Sequence, residues 1–119
     1  MLPARHRLRA AADFSATVRG AGGARSGGRL LVLHARERAD PVTSGPRVGF
    51  VVSKAVGGAV TRNRTKRVLR HLVADRLPGI PVAVDLVVRA NPASSAATTA
   101  QLAAELDRTL AAVLRKVGR

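Results

Sequence analysis

A helix-patterned segment lies between two apolar runs of strand length, and this arrangement limits the chain to few folds. The flanking runs, Arg47 to Ser53 and Val82 to Val88, are rich in valine, a β-branched residue that favours strands. Their near-continuous apolarity indicates burial on both faces. Between them, residues 60 to 77 gather apolar side chains on one helical face: Thr65, Val68, Leu69, Leu72 and Val73. Two strands separated by a helix predict a βαβ crossover.

The segment before these elements predicts another helix and another strand. Leu8 to Val18 repeats apolar residues at three- and four-residue steps, which is typical of a short helix with one apolar face. Glycines at positions 20, 22 and 23 end this helix, because glycine makes its continuation costly. We expect the glycine-rich stretch to run on as a loop to Gly28. Leu30 to Ala35 then reads as a strand.

Turn and cap residues complete the predicted order. Residues 36 to 46 contain Asp40-Pro41 and Ser44-Gly45-Pro46, which favour a hairpin connection. A last helix is expected from an N-cap at Ser94 to Ser95 through Val117. The predicted order is α-β-β-α-β-α, an α+β two-layer sandwich with a small sheet and helices packed on it. At 119 residues, the chain is expected to form a single domain, residues 1–119.

The charge of the chain favours a partner that carries dense negative charge, which could be nucleic acid, an anionic membrane or an acidic protein. Lysine and arginine number 21 against 7 acidic residues, which gives a net charge of +14. The apolar runs are only strand-sized, whereas a membrane span needs about 20 residues, so no membrane partner is expected. The basic start is interrupted by Arg9, Asp13 and Arg19 and lacks the apolar region of a signal peptide. We therefore predict a cytoplasmic protein, and the absence of cysteine agrees with a reducing compartment.

The most informative surface pattern lies on the predicted helix of residues 60 to 77. Its polar residues at steps of three and four form one ridge: Asn63, Lys66, Arg67 and Arg70. Arg64 lies on the far flank of this ridge, and Arg62 lies near its boundary with the core. Like charges at such spacing destabilise a helix, and few acidic residues are nearby to compensate. This pattern favours a phosphate-bearing ligand over a merely solvated face, because guanidinium groups match phosphate oxygens.

The remaining candidate residues favour structural roles. His6, His34 and His71 lack the spacing of a zinc site, so no protein metal site is predicted. The acidic residues are scattered, and no pair forms an acid/base dyad. Asp85 is interpreted as a turn or strand-end residue rather than as a magnesium ligand. Phe50 is expected in the core.

Three stretches resemble the bacterial ribonuclease P protein family, and they occur in the order and at the spacing typical of that family. These are Arg47-Val48-Gly49-Phe50-Val51-Val52-Ser53-Lys54, then Val56-Gly57-Gly58-Ala59-Val60, then Arg62-Asn63-Arg64. The Arg-Asn-Arg core is the signature of that family. Arg7-Leu8-Arg9 with Asp13-Phe14 and the stretch Asp85 to Ala93 add further matches, so the resemblance covers about residues 2 to 116. It also implies a fold like that of the second domain of ribosomal protein S5, with a left-handed βαβ crossover.

This resemblance implies a subunit of an endoribonuclease that removes the 5′ leader from precursor tRNA. The partners would be a catalytic RNA subunit and precursor tRNA, with no small-molecule substrate. Hydrolysis would belong to the RNA and its bound Mg²⁺, so the protein would supply no catalytic residue and bind no cofactor by itself. The residues expected to contact RNA are Arg62, Asn63, Arg64, Lys66, Arg67, Arg70, Lys54 and Arg47.

A second expected site is a cleft between the first helix and the sheet, which in the family holds the single-stranded leader. Phe14, Val18 and His34 match this cleft. Aromatic rings stack on bases in such clefts. This chain has Val18 and His34 where the family commonly has aromatic residues, so base stacking is expected to be weaker. Phe14 itself is equally compatible with core packing and with leader contact.

Two other functions fit parts of the same pattern. A structural ribosomal or RNA-chaperone protein would share the α+β architecture and the charge but have no processing role. A free-standing protein nuclease would need catalytic groups of its own, and the scattered acidic and histidine residues argue against it.

Overall fold

The computed structural model describes residues 4–8, 11–19, 23–38 and 45–117. The α-helices are α1 (Ala11–Arg19), α2 (Ala59–Arg76) and α3 (Thr99–Val117). The strands are β1 (Ala24–Gly27), β2 (Leu31–Glu37), β3 (Arg47–Val51) and β4 (Val84–Ala90). Short 3₁₀ turns occupy Ala4–His6, Leu77–Gly79 and Pro92–Ala96. The α+β class is confirmed, and the predicted elements occur in the predicted order with one additional strand, β1.

The four strands form one mixed sheet in the order β1-β2-β4-β3. β3 and β4 are parallel neighbours, with Val48 opposite Leu86, and α2 connects them. The predicted βαβ crossover is therefore confirmed, while its left hand stays a prediction. The predicted hairpin between β2 and β3 is wrong, because β4 lies between them and pairs with β2 in antiparallel register. β4 is the central strand of this unit, whereas β3 is partly exposed at Phe50 and Val51.

Two local predictions are corrected by hydrogen bonding. The expected loop before Gly28 contains β1, which pairs with β2 through Ala24 opposite Ala35. The N-cap of α3 is Thr98 rather than Ser94 or Ser95. Thr98 Oγ1 accepts from the Gln101 amide at 3.1 Å, while the Thr98 amide donates to Gln101 Oε1 at 2.9 Å. This reciprocal pair is a capping box, and the serines lie in the 3₁₀ turn before it.

The sheet separates the core, which contains α2 and α3, from the face that carries α1. The core contains alternate residues of β2 and β4, such as Leu33 and Leu86, together with Leu69 of α2 and Leu106 of α3. Helix α1 packs instead against β2 and β4 with Phe14 lying over Gly49, whose missing side chain leaves room for the ring. The predicted apolar face of α2 is confirmed, since Thr65, Leu69, Leu72 and Val73 are buried.

One buried carboxylate joins three strands on the face that carries α1. Asp85 of β4 is fully buried and receives hydrogen bonds from Arg36 and Arg38, and a bidentate pair at 2.8 Å from Arg47. Burial by itself raises the pKa of Asp85, but the hydrogen bonds from Arg47, Arg38 and Arg36 bring it below its ordinary value. The interpretation of Asp85 as a structural residue is in line with this geometry.

Loss of the Asp85 charge should destabilise the fold strongly. We expect Asp85→Asn to lower the free energy of unfolding by about 3–5 kcal/mol, because three guanidinium groups lose a buried partner. The matched control is Asp107→Asn, which breaks an exposed pair with Arg76 and should cost about 0–1 kcal/mol. Urea denaturation of the two variants at neutral pH checks this difference. Equal losses would contradict it.

The same cluster makes the stability of the fold depend on pH. Because the folded-state pKa of Asp85 is depressed, its contribution to stability is complete above the unfolded-state pKa of about 3.9. It is then lost as the pH falls through the folded-state pKa.

Candidate nucleic-acid interface

The polar side chains predicted for α2 form one exposed ridge. Asn63, Lys66, Arg67, Arg70 and His71 line a shallow hollow of about 480 Å³ along this helix. Within the described ranges, the ion pairs found do not include the cations of this ridge. The expected one-sided, uncompensated positive charge is therefore present. Such a surface attracts phosphate groups, since charge-assisted hydrogen bonds from guanidinium groups are strong.

The other predicted RNA contacts surround the ridge with one exception. Arg62 is half-buried near the core, Arg64 is exposed on the opposite flank of α2, and Lys54 is exposed in the turn before the helix. Arg47 does not join the ridge. Its guanidinium group binds Asp85, so the structure places Arg47 in the buried cluster that stabilises the sheet.

A cleft between α1 and the sheet brings the second predicted group together. Phe14, Val18 and His34 line a cavity of about 370 Å³, and Arg19 and Arg89 lie at its margins. Phe14 contacts β3 at Gly49 and also lines the cleft, so its position is compatible with both of the roles predicted for it. Val18 is 36% exposed, which leaves an apolar side chain facing solvent at the cleft. The arrangement suits a flexible chain whose bases have flat aromatic faces and whose backbone is charged.

Two arginines near His34 were not predicted from the sequence: Arg89 lines the cleft, and Arg25 lines an adjoining hollow. Arg25 of β1 lies directly opposite His34 of β2, and Arg89 of β4 is opposite Val32. Burial and these two arginines lower the pKa of His34, which is therefore neutral at pH 7. Arg25 lies in the stretch that was expected to be a loop, so no sequence pattern pointed to it. Arg89 could have been found, because it is a charged residue in an otherwise apolar strand, where it is exposed between buried neighbours.

The ridge and the cleft are parts of one continuous surface around the outer edge of β3. A third hollow there, of about 290 Å³, is lined by Lys66 and Arg70 from the ridge and by Phe14 from the cleft. Arg7 and Leu8 complete this hollow by pairing with Val48. A long polyanion, or two that meet, can follow this surface without crossing a negative patch among the described residues.

The acidic and histidine residues offer little catalytic chemistry. Among the described positions, no group of three or more His, Asp or Glu side chains is placed to hold a metal ion. His6 Nδ1 binds the Pro46 carbonyl at 2.7 Å, and Glu105 Oε2 accepts from the amides of Leu30 and Leu31. In the same part of the chain, no helix is long and apolar enough to span a membrane.

Comparison with known proteins identifies the family. The sequence model of the family described as Ribonuclease P matches residues 2–114. The chain belongs to the ribonuclease P protein family. It is 52% identical over 110 residues to the ribonuclease P protein component of Acidothermus cellulolyticus, covering 92% of this chain and 89% of that protein. The Streptomyces bikiniensis component is 52% identical over 120 residues, with 96% of each chain covered.

Solved structures of family members share the fold. The RNase P protein of Staphylococcus aureus matches with a TM-score of 0.78 and 28% identity, over 89% of this chain and 93% of that one. The RNase P protein of Thermotoga maritima matches with a TM-score of 0.73 and 25% identity, over 92% of this chain and 96% of that one. The predicted resemblance is thereby confirmed. The chain is a protein subunit of the endoribonuclease ribonuclease P, whose catalytic role lies with the RNA.

Occupation of the cleft by a polyanion should change the titration of His34. In the free protein, burial and the charges of Arg25 and Arg89 hold its pKa below the ordinary value. A bound phosphate would offset those charges, so we expect the pKa of His34 to rise when a short single-stranded RNA is added. Binding should accordingly tighten as the pH falls through this pKa. NMR titration of the His34 ring with and without the RNA tests this; an unchanged His34 pKa would contradict it.

Proposed function

We propose that this ribonuclease P protein binds the catalytic RNA through the α2 ridge and the 5′ leader of precursor tRNA through the α1 cleft. In this way it assists the removal of the leader. The observation that carries the proposal is the continuous cationic surface that joins the two sites around β3. A protein that contacts both RNAs at once can align the cleavage site with the catalytic RNA, because fixed geometry lowers the entropic barrier to reaction.

The ridge suits a folded RNA. Its cations project from an 18-residue helix whose buried face is anchored in the core, so their spacing is fixed before binding. Preformed positive charge limits the conformational entropy lost on association. Arg67 and Arg70 offer forks for phosphate oxygens, and Asn63 can bond to a base edge or to the backbone.

The cleft suits a single strand. Phe14 offers one half-buried ring, while Val18 and neutral His34 offer weakly polar surfaces for bases. Arg25 and Arg89 supply charge for the backbone. Because Phe14 is the one phenylalanine, tyrosine or tryptophan among the described residues of the cleft lining, recognition should depend more on shape and charge than on stacking.

We further propose that Mg²⁺ reaches the reaction through the partner RNA, and that the protein binds no cofactor alone. The carboxylate of Asp85, which is the most deeply buried one among the described residues, already binds three arginines, so both of its oxygens are occupied. Cytoplasmic location likewise stays a prediction. Family membership disfavours the ribosomal or chaperone alternative and the free-standing nuclease.

Reconstitution tests the function directly. The chain is mixed with its cognate RNA subunit at low Mg²⁺, and cleavage of precursor tRNA is compared with cleavage of tRNA precursors carrying a one-nucleotide leader. We expect the protein to stimulate cleavage of the long-leader substrate more. No stimulation of either substrate would refute the proposal, and cleavage by the protein without RNA would revive the free-standing nuclease.

Removal of one ridge cation should change the salt dependence of RNA binding. For Arg67→Ala, we expect the slope of log affinity against log salt to decrease by about one unit, because one phosphate contact is lost. Arg115→Ala is the matched control, since Arg115 is exposed in the last turn of α3, away from the ridge. Filter binding of the catalytic RNA at several salt concentrations measures both slopes. Equal slopes in the two variants would show that Arg67 makes no phosphate contact.

A further inference from the structure

A separate polar hollow lies on the other flank of α2, away from the ridge. It has a volume of about 230 Å³ and is enclosed by α2, the 3₁₀ turn Pro92–Ala96 and the first turn of α3. Its lining combines one cation with three hydroxyl-bearing residues of the α3 side: Arg64, Ser94, Ser95 and Thr99. No described acidic side chain is part of this lining. The hollow therefore has the donors and the charge to receive an anion.

An unsatisfied buried hydroxyl marks this hollow. Ser94 is only 2% exposed, and its Oγ has no hydrogen-bond partner among the described residues. A buried donor without a partner is costly, because it has lost its bonds to water. Ser95 Oγ donates to the Pro92 carbonyl at 3.1 Å, so that neighbour is already engaged. Ser94 thus has a hydroxyl that a bound acceptor would satisfy after rotation about one bond.

The start of α3 supplies a second set of donors. Thr98 caps the Gln101 amide, but the Thr99 amide belongs to the first turn, where no carbonyl of the helix can accept from it. α3 is 19 residues long, and the aligned peptide dipoles of such a helix favour an anion at its N-terminus. Arg64, which ends in a guanidinium group and is exposed, faces the same hollow from α2.

We propose that this hollow binds a phosphate group of the RNA backbone, held by Arg64, the Ser94 hydroxyl and the Thr99 amide. The proposal rests on the proposed function and extends it, since it adds an anchoring site on the α3 side of α2. A polyanion held there and on the ridge would contact α2 from two sides. The α1 cleft lies on the opposite face of the sheet, so we assign the phosphate to the catalytic RNA.

One variant should lose affinity for RNA without losing stability. Ser94→Ala removes a buried hydroxyl without a partner, so the melting temperature of the free protein should stay the same or rise. Its affinity for the catalytic RNA should nevertheless fall by about tenfold, since one hydrogen bond to a charged group is lost. Arg64→Gln should lower the affinity by about tenfold. Arg115→Gln, at the other end of α3, is the control and should have little effect.

A double-mutant cycle tests whether the two side chains hold the same phosphate. If they do, Ser94→Ala combined with Arg64→Gln should lose less affinity than the product of the two separate losses. Losses that multiply would overturn a shared site, and so would unchanged affinity in Ser94→Ala. Failure of the wild-type chain itself to bind the catalytic RNA would refute the proposed function instead.

Two binding arms identify the source of the phosphate. The variants are measured with the catalytic RNA alone and with precursor tRNA added to the preformed complex. Weaker binding in the first arm supports the assignment to the catalytic RNA. An effect confined to the second arm would overturn that assignment and place the phosphate in the substrate.

Discussion

Carboxylate groups are scarce in this chain, and their placement controls the rest of the structure. Seven acidic residues accompany 21 lysines and arginines. Those in the described ion pairs bind arginines that support the fold: Asp85 binds Arg36, Arg38 and Arg47, Asp107 binds Arg76, and Glu105 binds Arg108. The buried carboxylate of Asp85 is the most consequential, because it satisfies guanidinium groups from two neighbouring strands. Among the described residues, the cations of the ridge have no acidic partner, so their field is directed at solvent, where it would attract a polyanion.

The topology turns this separation of charges into a working surface. Because β4 lies between β2 and β3, the crossover helix α2 is placed beside the β3 edge, and α1 covers the other face of the sheet. Gly49 then allows Phe14 to approach β3 closely. As a result, the cations of α2 and the cleft of α1 meet around one edge of the sheet, as the proposed function needs.

The sequence predicted local features well and non-local ones poorly. The ridge from Asn63 to Arg70 follows from helical periodicity alone, and the crossover follows from two apolar runs around one helix. The position of β4 between β2 and β3 depends on pairing between distant residues, which local patterns do not encode. Arg25 was missed because β1 is a short edge strand in glycine-rich sequence. The ion pair between Arg47 and Asp85 could not be predicted, because the two residues are 38 positions apart in the sequence.

Site-directed cleavage from the protein would test the central claim that ridge and cleft contact different RNA molecules in one complex. The chain has no cysteine, so Arg67→Cys and Val18→Cys each create a unique attachment point for an iron chelate that cleaves nearby RNA. In the complex with both RNAs, the ridge probe should cleave the catalytic RNA and the cleft probe the 5′ leader. Cleavage of the same RNA by both probes, or of neither, would contradict the account.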